Sequence, residues 1–145
     1  MRALPLNDLY TLPGDRPDVE TALEPGEMIV QVDVPLTGLA RRSLFAKVRE
    51  RASFEFALVS AAVSLELEKG CIREARIVLG GVAPKPWRLP AVEAHLRGCP
   101  PSEEAFQEAL TGFDDDARPL ESNAFKLVLA RNLILRSLAE LGSLV

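Results

Sequence analysis

The chain has 145 residues, 48% hydrophobic and 26% charged, the size and balance of one soluble globular domain with its own core. A net charge of −4 argues against nucleic acid as a partner, because such proteins normally present a basic face. Cys71 and Cys99 with a single histidine, His95, are too few for an iron–sulfur cluster, a structural zinc or a Ser/His nucleophile pair.

No metal site and no catalytic residue is therefore expected in this chain. No apolar run reaches the length of a membrane span, so no membrane partner is expected. The polar start Met1-Arg2-Ala3-Leu4-Pro5 has no signal-peptide core. The expected location is cytoplasmic, or periplasmic only by export with a partner subunit.

Residues 1–27 are rich in Pro, Asp, Glu and Gly, as in Leu12-Pro13-Gly14-Asp15, and read as an extended lead-in. Met28 to Val34 alternates, with Met28, Val30, Val32 and Val34 on one side and Gln31 and Asp33 on the other, and Pro35 ends it. That pattern predicts a half-buried strand. A second strand is expected near Ser43–Arg51. A third runs from Val59 to Glu68, with Val59, Ala61, Val63, Leu65 and Leu67 facing one way. Lys69-Gly70 then turns the chain into a fourth strand, Ile72 to Leu79, giving an antiparallel hairpin.

Beyond this the period changes from two to 3.6. Pro90 to Arg97 reads as a short helix opened by proline and stopped by Gly98. Ser102 caps a helix running to about Leu110, and a last helix spans about Ser122 to Leu141, with Lys126 placed on its outer face. Arg131 falls within the apolar face of that helix, where its head must find a partner or its stem must reach the wet rim. Strands first and helices second predict an α+β fold, a sheet of three to four antiparallel strands over 28–82 and about three helices over 90–141, within one domain, 1–145.

The segment Gly80-Gly81-Val82-Ala83-Pro84-Lys85-Pro86-Trp87-Arg88-Leu89 joins the two halves. Its glycines let the backbone bend or approach something that a Cβ would block, and its prolines hold it extended. Trp87 beside Arg88 fits either a core plug at a strand exit or a surface that locks onto a partner.

Together these segments resemble the C-terminal domain of the FAD-binding (medium) subunit of molybdenum hydroxylases, the family of xanthine dehydrogenase and carbon monoxide dehydrogenase. The carriers are Glu27-Met28-Ile29-Val30 to Val34-Pro35, Ser43-Leu44-Phe45-Ala46-Lys47-Val48-Arg49, and the Gly80–Arg88 run with Glu93 after it. Leu23-Glu24-Pro25-Gly26-Glu27, Arg49 to Ala57, and Ala117-Arg118-Pro119-Leu120 to Lys126 are similar to the FAD-binding subunits of periplasmic-type aldehyde oxidoreductases.

The resemblance implies an FAD cofactor shared with an N-terminal FAD-binding domain or chain whose glycine-rich loops this sequence lacks. It implies partner subunits that carry the iron–sulfur clusters and the molybdenum cofactor. Carried over residue by residue, it places the backbone of Ile29 and the ammonium of Lys47 against the flavin cofactor, and we assign Lys85, Trp87 and Arg88 to a docking surface. The expected role is to cover the flavin and dock to those subunits during electron transfer; the isolated chain is not expected to turn over. The alternative is a non-enzymatic interaction module that carries no cofactor.

Overall fold

The computed structural model describes residues 1–143. Its centre is a four-stranded antiparallel sheet in the order β1-β2-β3-β4. The strands are β1 (Ser43–Val48), β2 (Val59–Glu68), β3 (Cys71–Gly80) and the two-residue β4 (Trp87–Arg88). Three helices follow, α2 (Pro90–Leu96), α3 (Glu103–Ala109) and α4 (Phe125–Ser143), and a four-residue helix α1 (Leu6–Leu9) lies in the lead-in. The α+β class and the strand-then-helix order are as the sequence predicts.

The β2–β3 hairpin forms where the alternation places it. Lys69 and Gly70 both have positive φ, 52° and 80°, the backbone of a tight hairpin turn whose twist matches its strands. Val59, Ala61, Val63 and Leu65 of β2 and Ile72, Ala75, Ile77 and Leu79 of β3 are buried beneath the helices. A bulge between Glu66 and Leu67 keeps the apolar set of both strands inward as the register shifts. Ala130, Ile134, Leu138 and Leu141 of α4 close the core, and Phe106, Leu110 and Leu96 fill its flank. Ser102 caps α3, accepting from Ala105 N–H at 3.3 Å, and Pro90 opens α2. Arg131 is half-buried.

One predicted strand does not form. Residues 28–34 take no part in any strand, and the sheet begins at Ser43 and ends at Arg88 rather than spanning 28–82. Alternation describes which way side chains point; a strand also needs a neighbouring main chain. Among the described residues, positions 28–36 make no backbone hydrogen bond, and Met28, Ile29, Val30, Val32, Val34 and Leu36 are all exposed. The fourth strand of the sheet is instead Trp87–Arg88, which pairs with Val78 and Leu79.

The lead-in is also more folded than expected. Tyr10 and Thr21 form an antiparallel bridge, and Arg2 clamps Glu27 with Nε–Oε1 at 2.9 Å while reaching Ala22 O. That pairing holds the Glu27 carboxyl below its ordinary range, chiefly through the side-chain hydrogen bond.

Candidate functional site

Helices cover one face of the sheet and leave the other open. Because side chains alternate, Ser43, Phe45 and Lys47 of β1 point to the open face while Leu44, Ala46 and Val48 pack inward. Cross-strand pairing places Lys47 opposite Ser60 and Ser60 opposite Gly80, and in the next row Phe45 opposite Ala62 and Ala62 opposite Val78. The result is a low platform of small residues with a lysine at one edge and a phenylalanine beside it. A shallow hollow of about 430 Å³ continues from this platform to Pro84, Lys85 and Pro86.

The two glycines where β3 ends stand close to the start of β2, Gly80 against a side chain and Gly81 against main chain. A Cβ on Gly80 would stand 2.5 Å from Ser60 Oγ. Gly81 has φ +76°, and a Cβ there would meet the carbonyl oxygens of Leu58 and Ala57 at 2.9 and 3.0 Å. The chain therefore crosses the end of β2 in contact with backbone, and Gly81 O accepts from Lys126 Nζ at 2.9 Å, tying α4 to the turn. Lys126 is half-buried in this bond, so its predicted place on the outer helix face is corrected.

Trp87 and Arg88 stand on the other side. Trp87 is 40% exposed, so it is no core plug. Arg88 reaches back to Glu93, Nε to Oε1 at 2.9 Å and Nη2 to Oε2 at 2.6 Å. Glu93 is only 4% exposed and also accepts from Ile77 N–H at 3.0 Å, with Arg76 at 3.7 Å. Buried carboxylates persist only with such donors. The same bond raises the Arg88 guanidinium above its ordinary range. In the sequence Glu93 stands out only as part of the family resemblance. The signal for its role is an acid beside Val92 on the buried face of α2, five residues after an arginine.

The structure thus sorts the singled-out residues into three places. Lys47 lies on the open platform with Lys85 bordering its hollow. Trp87 and Arg88 line a separate cavity under α4. Ile29 is exposed in the unpaired stretch, with no backbone bond to the platform.

A sheet of this topology, closed by a Gly-Gly crossing and an Arg–Glu latch, defines an α+β domain with its helices on one face of the sheet. Residues 44–141 match the model of the CO dehydrogenase flavoprotein C-terminal domain, and the chain belongs to that family. It is 40% identical over 139 residues, 96% of its length, to the aldehyde oxidoreductase FAD-binding subunit PaoB of Escherichia coli K12, and spans 40% of that relative. It is similar to quinoline 2-oxidoreductase from Pseudomonas putida 86, with a TM-score of 0.73 at 26% identity over 85% of this chain and 44% of that one. For carbon monoxide dehydrogenase from Hydrogenophaga pseudoflava the TM-score is 0.69 at 28% identity, over 80% and 42%.

Proposed function

We propose that this chain is the C-terminal domain of the FAD-binding subunit of a molybdenum-dependent oxidoreductase of the aldehyde and xanthine type. It covers the flavin and docks to the iron–sulfur and molybdenum subunits. The observation that carries the reading is the platform on which exposed Lys47 and Ala62 flank a buried Ser60 and a half-buried Gly80, where the small residues give a low surface and an ammonium stands at its edge. Those residues fit one side of a flavin. A flavin bound there takes up electrons delivered by the other subunits.

This chain's part is to supply the cation, exclude water from the ring face and fix the geometry of docking. Gly80 and Gly81 are given over to close packing, since a Cβ on either would meet Ser60 or the Ala57–Leu58 backbone, and so do not serve as a pyrophosphate cradle. The cofactor's phosphates belong to a separate FAD-binding domain or chain. The exposed apolar alternation of residues 28–36 supports the same division, because a strand with no sheet of its own needs one from a partner.

The test is co-expression with an FAD-binding half that carries the glycine loops. A yellow, stoichiometric complex is expected, and a colourless chain when purified alone. A complex that forms without flavin would favour the plain interaction module.

A further inference from the structure

The outward face of α4 points to an interaction surface that does not depend on the flavin reading. A helix lying on a sheet is expected to be apolar toward the core and polar toward water. α4 is apolar on both sides. Ala130, Ile134, Leu138 and Leu141 are buried in the core. On the other side Phe125 and Val128 are 48% and 62% exposed, Leu135 is half-buried and Ala139 is exposed. At 100° per residue these side chains fall in a stripe about 80° wide, with exposed Asn132 inside it.

An arginine flanks each rim of that stripe, Arg131 on one side and Arg136 on the other. Among the described residues neither side chain has a hydrogen bond or an ion pair. Arg131 is half-buried, so its guanidinium loses part of its hydration with no partner in return. The one acid of α4, Glu140, lies a turn beyond Arg136 and forms no ion pair either. Lys126 is engaged with Gly81 O.

We infer that the outward face of α4 docks one helix of a partner chain, an amphipathic helix with an apolar face and acidic residues along both of its edges. The stripe has the width of a single helix seam. Acids at the partner's edges would meet Arg131 and Arg136 as charge-assisted pairs. A second copy of this chain suits the rims less well, because it brings the same arginines to them.

The probes are two synthetic labelled helices with leucine on one face, one carrying glutamate along both edges and its twin carrying lysine. By fluorescence anisotropy the full chain should bind the glutamate helix saturably, more weakly as salt is raised. The lysine helix should bind about tenfold less tightly or worse. Arg131→Glu/Arg136→Glu should reverse that order. Val128→Glu, at a side chain mostly in solvent, should weaken the glutamate helix about tenfold, and it decides the matter should the double variant melt early. No binding, equal affinity for the twins, an order that survives the double variant, or an affinity unaltered by Val128→Glu would overturn the site. A chain that is dimeric in ultracentrifugation and made monomeric by Val128→Glu would overturn it as well, giving the face to a second copy.

Discussion

Glu93 holds Arg88 from inside the fold: the carboxylate is buried on α2, while the guanidinium it binds reaches back from the surface strand β4. Through Ile77 N–H the same carboxylate is fixed to β3, so one side chain ties strand, helix and Trp87 segment together. Glu93→Gln keeps an acceptor for Ile77 but loses the charge. We expect a loss of about 1.5–3 kcal/mol in stability, together with stronger acrylamide quenching of Trp87 as β4 loosens. An unchanged melt with unchanged quenching would show that β4 is held by other contacts.

Gly81→Ala meets two independent penalties. A residue with a Cβ pays about 1–2 kcal/mol for the left-handed backbone, and its Cβ would press on two carbonyl oxygens that belong to main chain and cannot rotate away. The variant should melt clearly lower than Gly26→Ala, whose positive φ is similar but whose Cβ would meet nothing within 4 Å. Equal melting of the two would remove close approach as the reason for this glycine.

The hairpin and the helices were legible because their signals are local. Alternation from Val59 to Leu65, a Lys-Gly turn and a 3.6 period after Ser122 each specify an element without reference to the rest of the chain. The stretch 28–34 carries an equally clean alternation and forms no strand, because its partner main chain is not among its neighbours in this fold. β4 was illegible for the opposite reason: two residues between Pro86 and Pro90 have no period, and only pairing with Val78 and Leu79 makes them a strand. Lys126 was placed outward by helical period, yet its long stem reaches the carbonyl of a residue 45 positions earlier. The platform around Lys47 was half legible. The lysine came from a resemblance, but the small residues opposite it became a surface only once the register of three strands was known.

Lys47 should matter to flavin retention and little to folding, since it lies exposed on the open face. In the complex with an FAD-binding half, Lys47→Ala should weaken flavin binding about tenfold to a hundredfold, the worth of one charge-assisted contact of roughly 1.5–3 kcal/mol. Lys69→Ala, at the hairpin turn, is the control, because Lys126 is engaged with Gly81 and unsuitable. Fluorescence titration giving one affinity for both variants would take Lys47 out of the site.

Trp87 separates docking from folding in a single pair of measurements. At 40% exposure it has part of its ring in solvent, so truncation to alanine forfeits only a share of the burial a core tryptophan provides. A fully buried aromatic would cost about 3–5 kcal/mol on truncation, which in a domain of this size lowers the melting temperature by roughly ten degrees or more. Trp87→Ala should instead shift the melt by only a few degrees. If the segment docks onto a partner subunit, the same change should cost about 2–4 kcal/mol in association, as expected of a central aromatic anchor. Arg88→Ala provides the contrast. Its charge is engaged by Glu93, so its removal should act on the melt first, leaving a buried carboxylate with only Ile77 N–H and the more distant Arg76. A Trp87→Ala chain that melts ten degrees lower yet assembles with unchanged affinity would assign the tryptophan to the fold and leave the docking surface without its anchor.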